Sequence, residues 1–175
     1  MAESLRGQLL IAAPQLTDYF RRTVVLVIEH SEEGAMGLVL NRPTATPVAE
    51  AVPALADLAA NDAVVHSGGP VQPDAVLALG DFEQPDEAGT AVLGTLGLLD
   101  PQGATPALRR LRVYAGYAGW APGQLDAELD QAAWIQAEVA PDDPFATGDL
   151  WPTVLLRKGG DYALMASMPI DPTLN

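Results

Sequence analysis

Thr23-Val24-Val25-Leu26-Val27-Ile28, then Glu29-His30, then Ser31-Glu32-Glu33-Gly34, then Met36-Gly37-Leu38-Val39-Leu40: this stretch decides the fold. The first run is continuous and rich in β-branched residues, which predicts a central strand buried on both faces. Ser31 to Gly34 is polar and ends in glycine, a turn composition, and a second apolar run follows at once. Strand, short turn and strand predict an antiparallel hairpin. The hairpin ends at Asn41-Arg42-Pro43.

Outward from the hairpin, Gln8 to Ala13 is a short apolar run closed by Pro14, a second buried strand. Thr46-Pro47 predicts a helix start, with a hydroxyl cap followed by proline at the first position. Val48, Val52, Leu55 and Ala59 continue at helical spacing, with Pro53 kinking or shortening the segment. Ala63 to His66 predicts a short strand leading into Ser67-Gly68-Gly69-Pro70. Ala75 to Leu79 is another strand, Phe82 to Gly89 an acidic loop, and Thr90 to Leu93 a further strand. Leu111 to Tyr117 alternates as a strand does, and Gly116, Gly119 and Gly123 loosen the chain around Trp120. Pro122 opens a helix with Leu125 and Leu129 inward and Asp126, Glu128 and Asp130 toward water. Ala133 to Val139 predicts a strand, and Leu150 to Lys158 a helix stopped by Gly159-Gly160. Hairpins dominate and no regular βαβ alternation is present. The expectation is an α+β fold with a mixed, mostly antiparallel sheet, curled into a partial barrel with flanking helices. No linker divides the chain, so one domain over residues 1–175 is expected.

Composition narrows the function. The chain has 175 residues, 49% of them hydrophobic and 18% charged, enough to bury a sizeable core and too apolar for disorder. Acids outnumber bases 23 to 9, for a net charge of −14. The bases fall in short runs, with no Lys or Arg between Pro43 and Leu108 or between Val113 and Leu156. A field of this sign repels phosphate, which makes direct DNA binding unfavourable. The helix from Pro122 to Gln131 carries three acids and no base, the wrong charge for a recognition helix. There is no cysteine, so disulfides, thiolate metal sites and thiol nucleophiles are excluded. The first residues show no secretory pattern and no run spans a membrane, so a cytoplasmic protein is expected.

Four blocks lie in order along most of the chain: Leu10-Ile11-Ala12-Ala13-Pro14 with Asp18 and Phe20; Val24 to His30 with Gly34-Ala35-Met36-Gly37-Leu38-Val39-Leu40-Asn41-Arg42-Pro43; Gly68-Gly69-Pro70-Val71; and Gly116-Tyr117-Ala118-Gly119-Trp120 with Gly123-Gln124-Leu125, Glu128 and Trp134. Together they resemble the AlgH (YqgE) family. The resemblance implies a compact fold with a partly closed sheet flanked by helices. It also implies a label of transcriptional regulator, with no defined reaction attached. Two positions depart from relatives: Ile28 stands where some have cysteine, and Ala78 where many have histidine. A mechanism built on that thiol or imidazole cannot operate here.

Several residues are candidates for a site. His30 with Asn41 and Arg42 would place an imidazole, an amide and a guanidinium on one rim if the hairpin brought them together, as an anion clamp or a base. The plainer alternative is that they satisfy loop backbone groups. Gly68 and Gly69 would offer backbone N–H groups to an anion, or else form a tight turn before Pro70. Trp120 and Gln124, with Trp134 and Trp151, would line an apolar groove or fill the core. His30 and His66 lack metal-ligand spacing, and no serine sits in a nucleophile elbow, so no metal, cofactor or catalytic set is expected. Arg109, Arg110 and Arg112 would carry weak nucleic-acid binding. The function expected is regulatory or protein-interacting and non-enzymatic, with an unknown protein or a small anion as partner. Binding of a small molecule or anion around His30, Asn41, Arg42 and Gly68-Gly69, with or without minor catalysis, is the alternative.

Overall fold

The computed structural model describes residues 4–100, 103 and 106–167. Among these, ten strands form one mixed sheet: β1 Gln8–Ala12, β2 Val24–Ser31, β3 Gly34–Val39, β4 Pro43–Pro47, β5 Val64–Ser67, β6 Val71–Phe82, β7 Thr90–Leu93, β8 Leu96–Leu98, β9 Leu108–Trp120 and β10 Trp134–Glu138. The helices are α1 Val48–Ala51, α2 Gln124–Asp130, α3 Leu150–Lys158 and α4 Asp161–Met165. Along the main path the strands run β10-β1-β2-β3-β9-β6-β8-β7. All pairs are antiparallel except β5 with β9, and β4 joins through β5.

β2 lies between β1 and β3 and is buried on both faces, as its β-branched run predicts. Its residues alternate between two cores. Val24, Leu26 and Ile28 pack with Leu9, Tyr114 and Trp151, while Val25 and Val27 pack with Leu10, Trp120 and Trp134. Each buried aliphatic side chain contributes about 1.5–3 kcal/mol. A register shift between Val27 and Glu29 ends the buried run and turns Glu29 to solvent. Ile28 is 1% exposed and simply packs. Ala78 joins a third core with Val48, Val65 and Val113.

The sheet curls so far that its two ends approach. Arg6 donates to the Ala91 carbonyl, and a Cβ at Gly7 would lie 3.1 Å from that of Leu93. The segment before β1 therefore leans on β7, and the partial barrel is held there by side-chain contact, not by strand pairing.

Four local readings need correction. Thr46 caps no helix: Pro43–Pro47 is the strand β4, α1 has four residues, and the turn after it begins at Pro53. The Thr44 hydroxyl binds the Val65 carbonyl, and Pro43 and Pro47 pair with His66 and Val64, so pairing with β5 overrides the capping pattern. α2 starts at Gln124, after Gly123 in the left-handed region, and not at Pro122. Gly116 and Gly119 do not interrupt β9, which runs for 13 residues. Phe82 is the fully buried end of β6 and not part of the acidic loop.

Candidate functional site

The hairpin separates two of the residues expected to share a rim. His30 pairs with Ala35 at the turn, while Asn41 lies beside Val24 at the other end of β2. Six residues of strand put them ~20 Å apart. His30 Nδ1 accepts the Leu5 N–H at 3.0 Å, and Nε2 lies 3.6 Å from Asp126. It fastens the segment ahead of β1. Asn41 Oδ1 accepts the Val24 N–H at 3.0 Å and its Nδ2 donates to the Arg22 carbonyl at 2.9 Å. Arg42 donates to the carbonyls of Tyr19 and Arg21. Asn41 and Arg42 thus bind the loop that precedes β2.

Gly68 and Gly69 lie close to Asn41 and Arg42, as the Val39 N–H to Gly68 carbonyl and Ser67 N–H to Arg42 carbonyl bonds show. The Gly68 backbone is already engaged at both ends: its N–H donates to the Ala115 carbonyl and its carbonyl accepts from Val39. Both glycines are needed for close packing, since a Cβ on Gly69 would lie 2.1 Å from the Tyr117 carbonyl carbon.

Trp120 and Trp134 are 6% and 4% exposed and belong to the core. Both indole N–H groups donate to one oxygen, Glu128 Oε1, at 3.0 and 2.9 Å. Gln124 donates to Glu128 Oε2 and accepts the Ala121 N–H. Glu128, expected to face water, turns inward as the acceptor for this network. Trp151, on the inner face of α3, is buried and donates to the Ala12 carbonyl.

The opposite side of β9 holds a cavity of about 620 Å³. Residues at alternate positions on a strand share a face, and Arg110 and Arg112 on β9 both line it, with Arg109 beside them. The parallel pairing of β5 sets His66 opposite Tyr114, with ring centroids 5.8 Å apart. Leu58 to Ala60 close one wall and Phe145 to Gly148, leading into α3, another. Three of the nine basic side chains of an acidic protein meet here.

The three guanidinium groups are not equivalent. Arg109 and Arg110 bind Asp81 at 3.5 and 3.3 Å, and Arg110 also binds Asp142 at 2.8 Å. Burial pushes the Asp81 carboxyl up, but the Thr95 hydroxyl and the two arginines outweigh it and hold it below the usual carboxylate range. Arg112 donates from Nη1 to the carbonyls of Pro144 and Ala146. No described carboxylate forms an ion pair with it. Beside it, His66 is 7% exposed. Its Nδ1 lies 3.3 Å from the Val64 carbonyl, an acceptor, so Nδ1 carries the hydrogen and Nε2 is left as an acceptor. Burial and the Arg112 charge push the imidazole down to about 4. Burial raises the Tyr114 phenol well above its ordinary value. The cavity therefore holds a neutral imidazole next to a cation with no anionic partner.

A family model described as AlgH-like matches residues 9–163. The chain belongs to the AlgH-like family. A UPF0301 protein of Streptomyces coelicolor is 44% identical to it, covering 98% of this chain and 96% of that one. The crystal structure of a Corynebacterium diphtheriae protein superposes with a TM-score of 0.84 at 30% identity, covering 93% of this chain and 91% of that one. The solution structure of the AlgH protein from Pseudomonas aeruginosa does so with a TM-score of 0.72 at 30% identity, covering 97% and 96%. The AlgH-like blocks map onto the fold as supports: Asn41-Arg42 and Gly68-Gly69 back one wall of the cavity, and Trp120, Gln124 and Glu128 lock α2 to the sheet. Among the described residues no three metal-ligating side chains converge, and no helix is long and apolar enough to cross a membrane.

His66, Arg110 and Arg112 are each visible in the sequence, the arginines at a spacing of two on a strand. Their meeting is not, because it depends on the parallel contact between β5 and β9, across 48 residues of chain.

Proposed function

We propose that this AlgH-like chain is a binding protein for a small anionic molecule, held in the cavity over His66 and Arg112. The observation that carries the reading is Arg112. A guanidinium drawn partly out of bulk water normally has an ionic partner; this one is partly buried and meets the Pro144 and Ala146 carbonyls and the Tyr114 hydroxyl but no described carboxylate, beside a cavity large enough for a metabolite. An anion against its remaining donors would complete the ion pair. It would also weaken the field that keeps His66 neutral, and Nε2 would take up a proton and become a second donor. The arginine cluster serves this reading better than nucleic-acid binding, because two of its members are already paired with Asp81 and Asp142. A regulatory role would follow if the loaded and empty forms present different surfaces to a partner.

A thermal-shift screen against nucleotides, sugar phosphates, carboxylic acids and inorganic anions tests it. A ligand at about 100 times its dissociation constant stabilises by roughly 2.7 kcal/mol, a shift of several degrees. At least one anion class should stabilise the wild type and lose its effect on Arg112→Gln. If no anion at millimolar concentration moves the transition, the reading fails.

A further inference from the structure

Taking the cavity as an anion site, as proposed above, we infer that its ligand is a monocarboxylate with an apolar body: an aryl-substituted or medium-chain organic acid. Three observations set the class.

The first is charge. Of the three guanidinium groups, only Arg112 is without a carboxylate partner among the described residues. One planar guanidinium matches one carboxylate in charge and shape. A phosphate ester brings nearly two charges and three acceptor oxygens, and bound phosphates are usually cradled by several backbone N–H groups. The nearby Gly68-Gly69 turn forms no such cradle: the Gly68 N–H donates to Ala115, and neither glycine lines the cavity.

The second is the lining. Away from His66, the three arginines and Asp62, the walls are mainly apolar, with Leu40, Leu58, Ala59, Leu111, Phe145 and Leu150, and Asn41 and Thr147 are the uncharged polar side chains among them. The Asn41 amide already serves the Val24 N–H and the Arg22 carbonyl, so this surface suits hydrocarbon and offers the hydroxyl groups of a sugar or ribose few partners. Phe145 also carries the Arg110 guanidinium 4.4 Å above its ring, which braces the aromatic wall.

The third is the rim. Asp62 is exposed and lines the cavity. A ligand with a second anionic end, such as a dicarboxylate or a nucleotide, would bring that end toward Asp62. A ligand with a neutral apolar tail would not.

Isothermal titration separates the class from its neighbours, using phenylacetate, octanoate, acetate, phenylacetamide, phenyl phosphate and inorganic phosphate as probes. Phenylacetate or octanoate should bind at least about tenfold more tightly than the amide and than either phosphate. Arg112→Gln should weaken the carboxylates about tenfold or more. Ala59→Trp, which fills part of the apolar wall, should weaken octanoate and leave acetate unchanged. Should Arg112→Gln fail to fold, amide chemical-shift changes in the wild type replace it: octanoate should perturb His66 and Ala146 to Leu150, not the open groove of about 1260 Å³ along β10. Phenyl phosphate or inorganic phosphate binding as tightly as phenylacetate would overturn the carboxylate class and leave the anion reading standing. No binding by any probe would overturn the carboxylate class and return the anion reading to the wider thermal-shift screen; equal binding of phenylacetamide and phenylacetate, or shifts confined to the β10 groove, would overturn both.

Discussion

Arg157 meets Asp143 at two points, Nη1 to Oδ1 at 3.0 Å and Nη2 to Oδ2 at 2.6 Å. Asp143 is 5% exposed and its Oδ2 also accepts the Ala140 N–H. The pair ties α3 to the turn Asp143–Phe145, and that turn supplies the Pro144 carbonyl to Arg112 and to the Tyr114 hydroxyl. The ion pair is thus a support for the cavity wall. Arg157→Gln should cost about 2 kcal/mol by urea denaturation, below the full 3–5 kcal/mol of a buried pair because Arg157 is half-exposed. It should also weaken ligand binding, though residue 157 does not line the cavity. A loss under about 0.5 kcal/mol would show that the pair is only superficial.

Asn41→Ala should lower stability by about 2–4 kcal/mol, because the Val24 N–H and the Arg22 carbonyl both lose their partner. Chemical denaturation gives the number. Near-unchanged stability with lost ligand binding would instead make Asn41 a ligand contact.

His66 makes a pH prediction with a definite sign. Its folded-state value of about 4 lies below the ordinary imidazole value of 6.5. Facing it are Arg112 and Tyr114 from β9, the Val64 carbonyl from its own strand, and Arg110 and Asp62 across the cavity. Between those two pH values the unfolded chain binds a proton that the native one does not, so stability falls as pH drops from 6.5 to 4. The slope approaches about 1.4 kcal/mol per unit. His66→Gln should remove this part of the profile, read as the wild-type minus variant difference in urea midpoint stability. Identical profiles would mean that His66 titrates normally.

Gly69 and Gly123 separate two meanings of a positive φ. Gly123, at φ +76°, has open space where a Cβ would go. Its change to Ala should cost only the left-handed backbone term, about 1–2 kcal/mol. Gly69, at φ +154°, has the Tyr117 backbone at 2.1 Å from that position. Gly69→Ala should exceed about 4 kcal/mol, the exceptional end for a single substitution. Circular dichroism melts of both variants decide it; similar melts would show that the β6–β9 crossing tolerates displacement.

The hairpin from β2 to β3 was legible because its signals are local: a β-branched run, a polar turn ending in glycine, and a second run. The same is true of α3, with Gly159 just past its end. Thr46-Pro47 misleads because a strand partner 17 or more residues onward takes the backbone first. Glu128 misleads because helical periodicity orders residues by polarity, while a carboxylate can face inward when two buried indoles need an acceptor. The cavity was least legible. His66 and the arginines each stand in plain view, but only β9, paired on one side with β6 and on the other with β3 and β5, makes them neighbours.

That position of β9 bears on how the chain is made. Its partners β3, β5 and β6 all lie within residues 34–82, and β9 itself spans residues 108–120. During synthesis the β2–β3 hairpin can form early, but it cannot join β5 and β6 until Trp120 has left the ribosome, several seconds after Val39 at about 5–20 residues per second. Until then the edges of β3 and β6 are exposed to other nascent chains. The acidic surplus of the whole chain, which repels like copies, covers that interval.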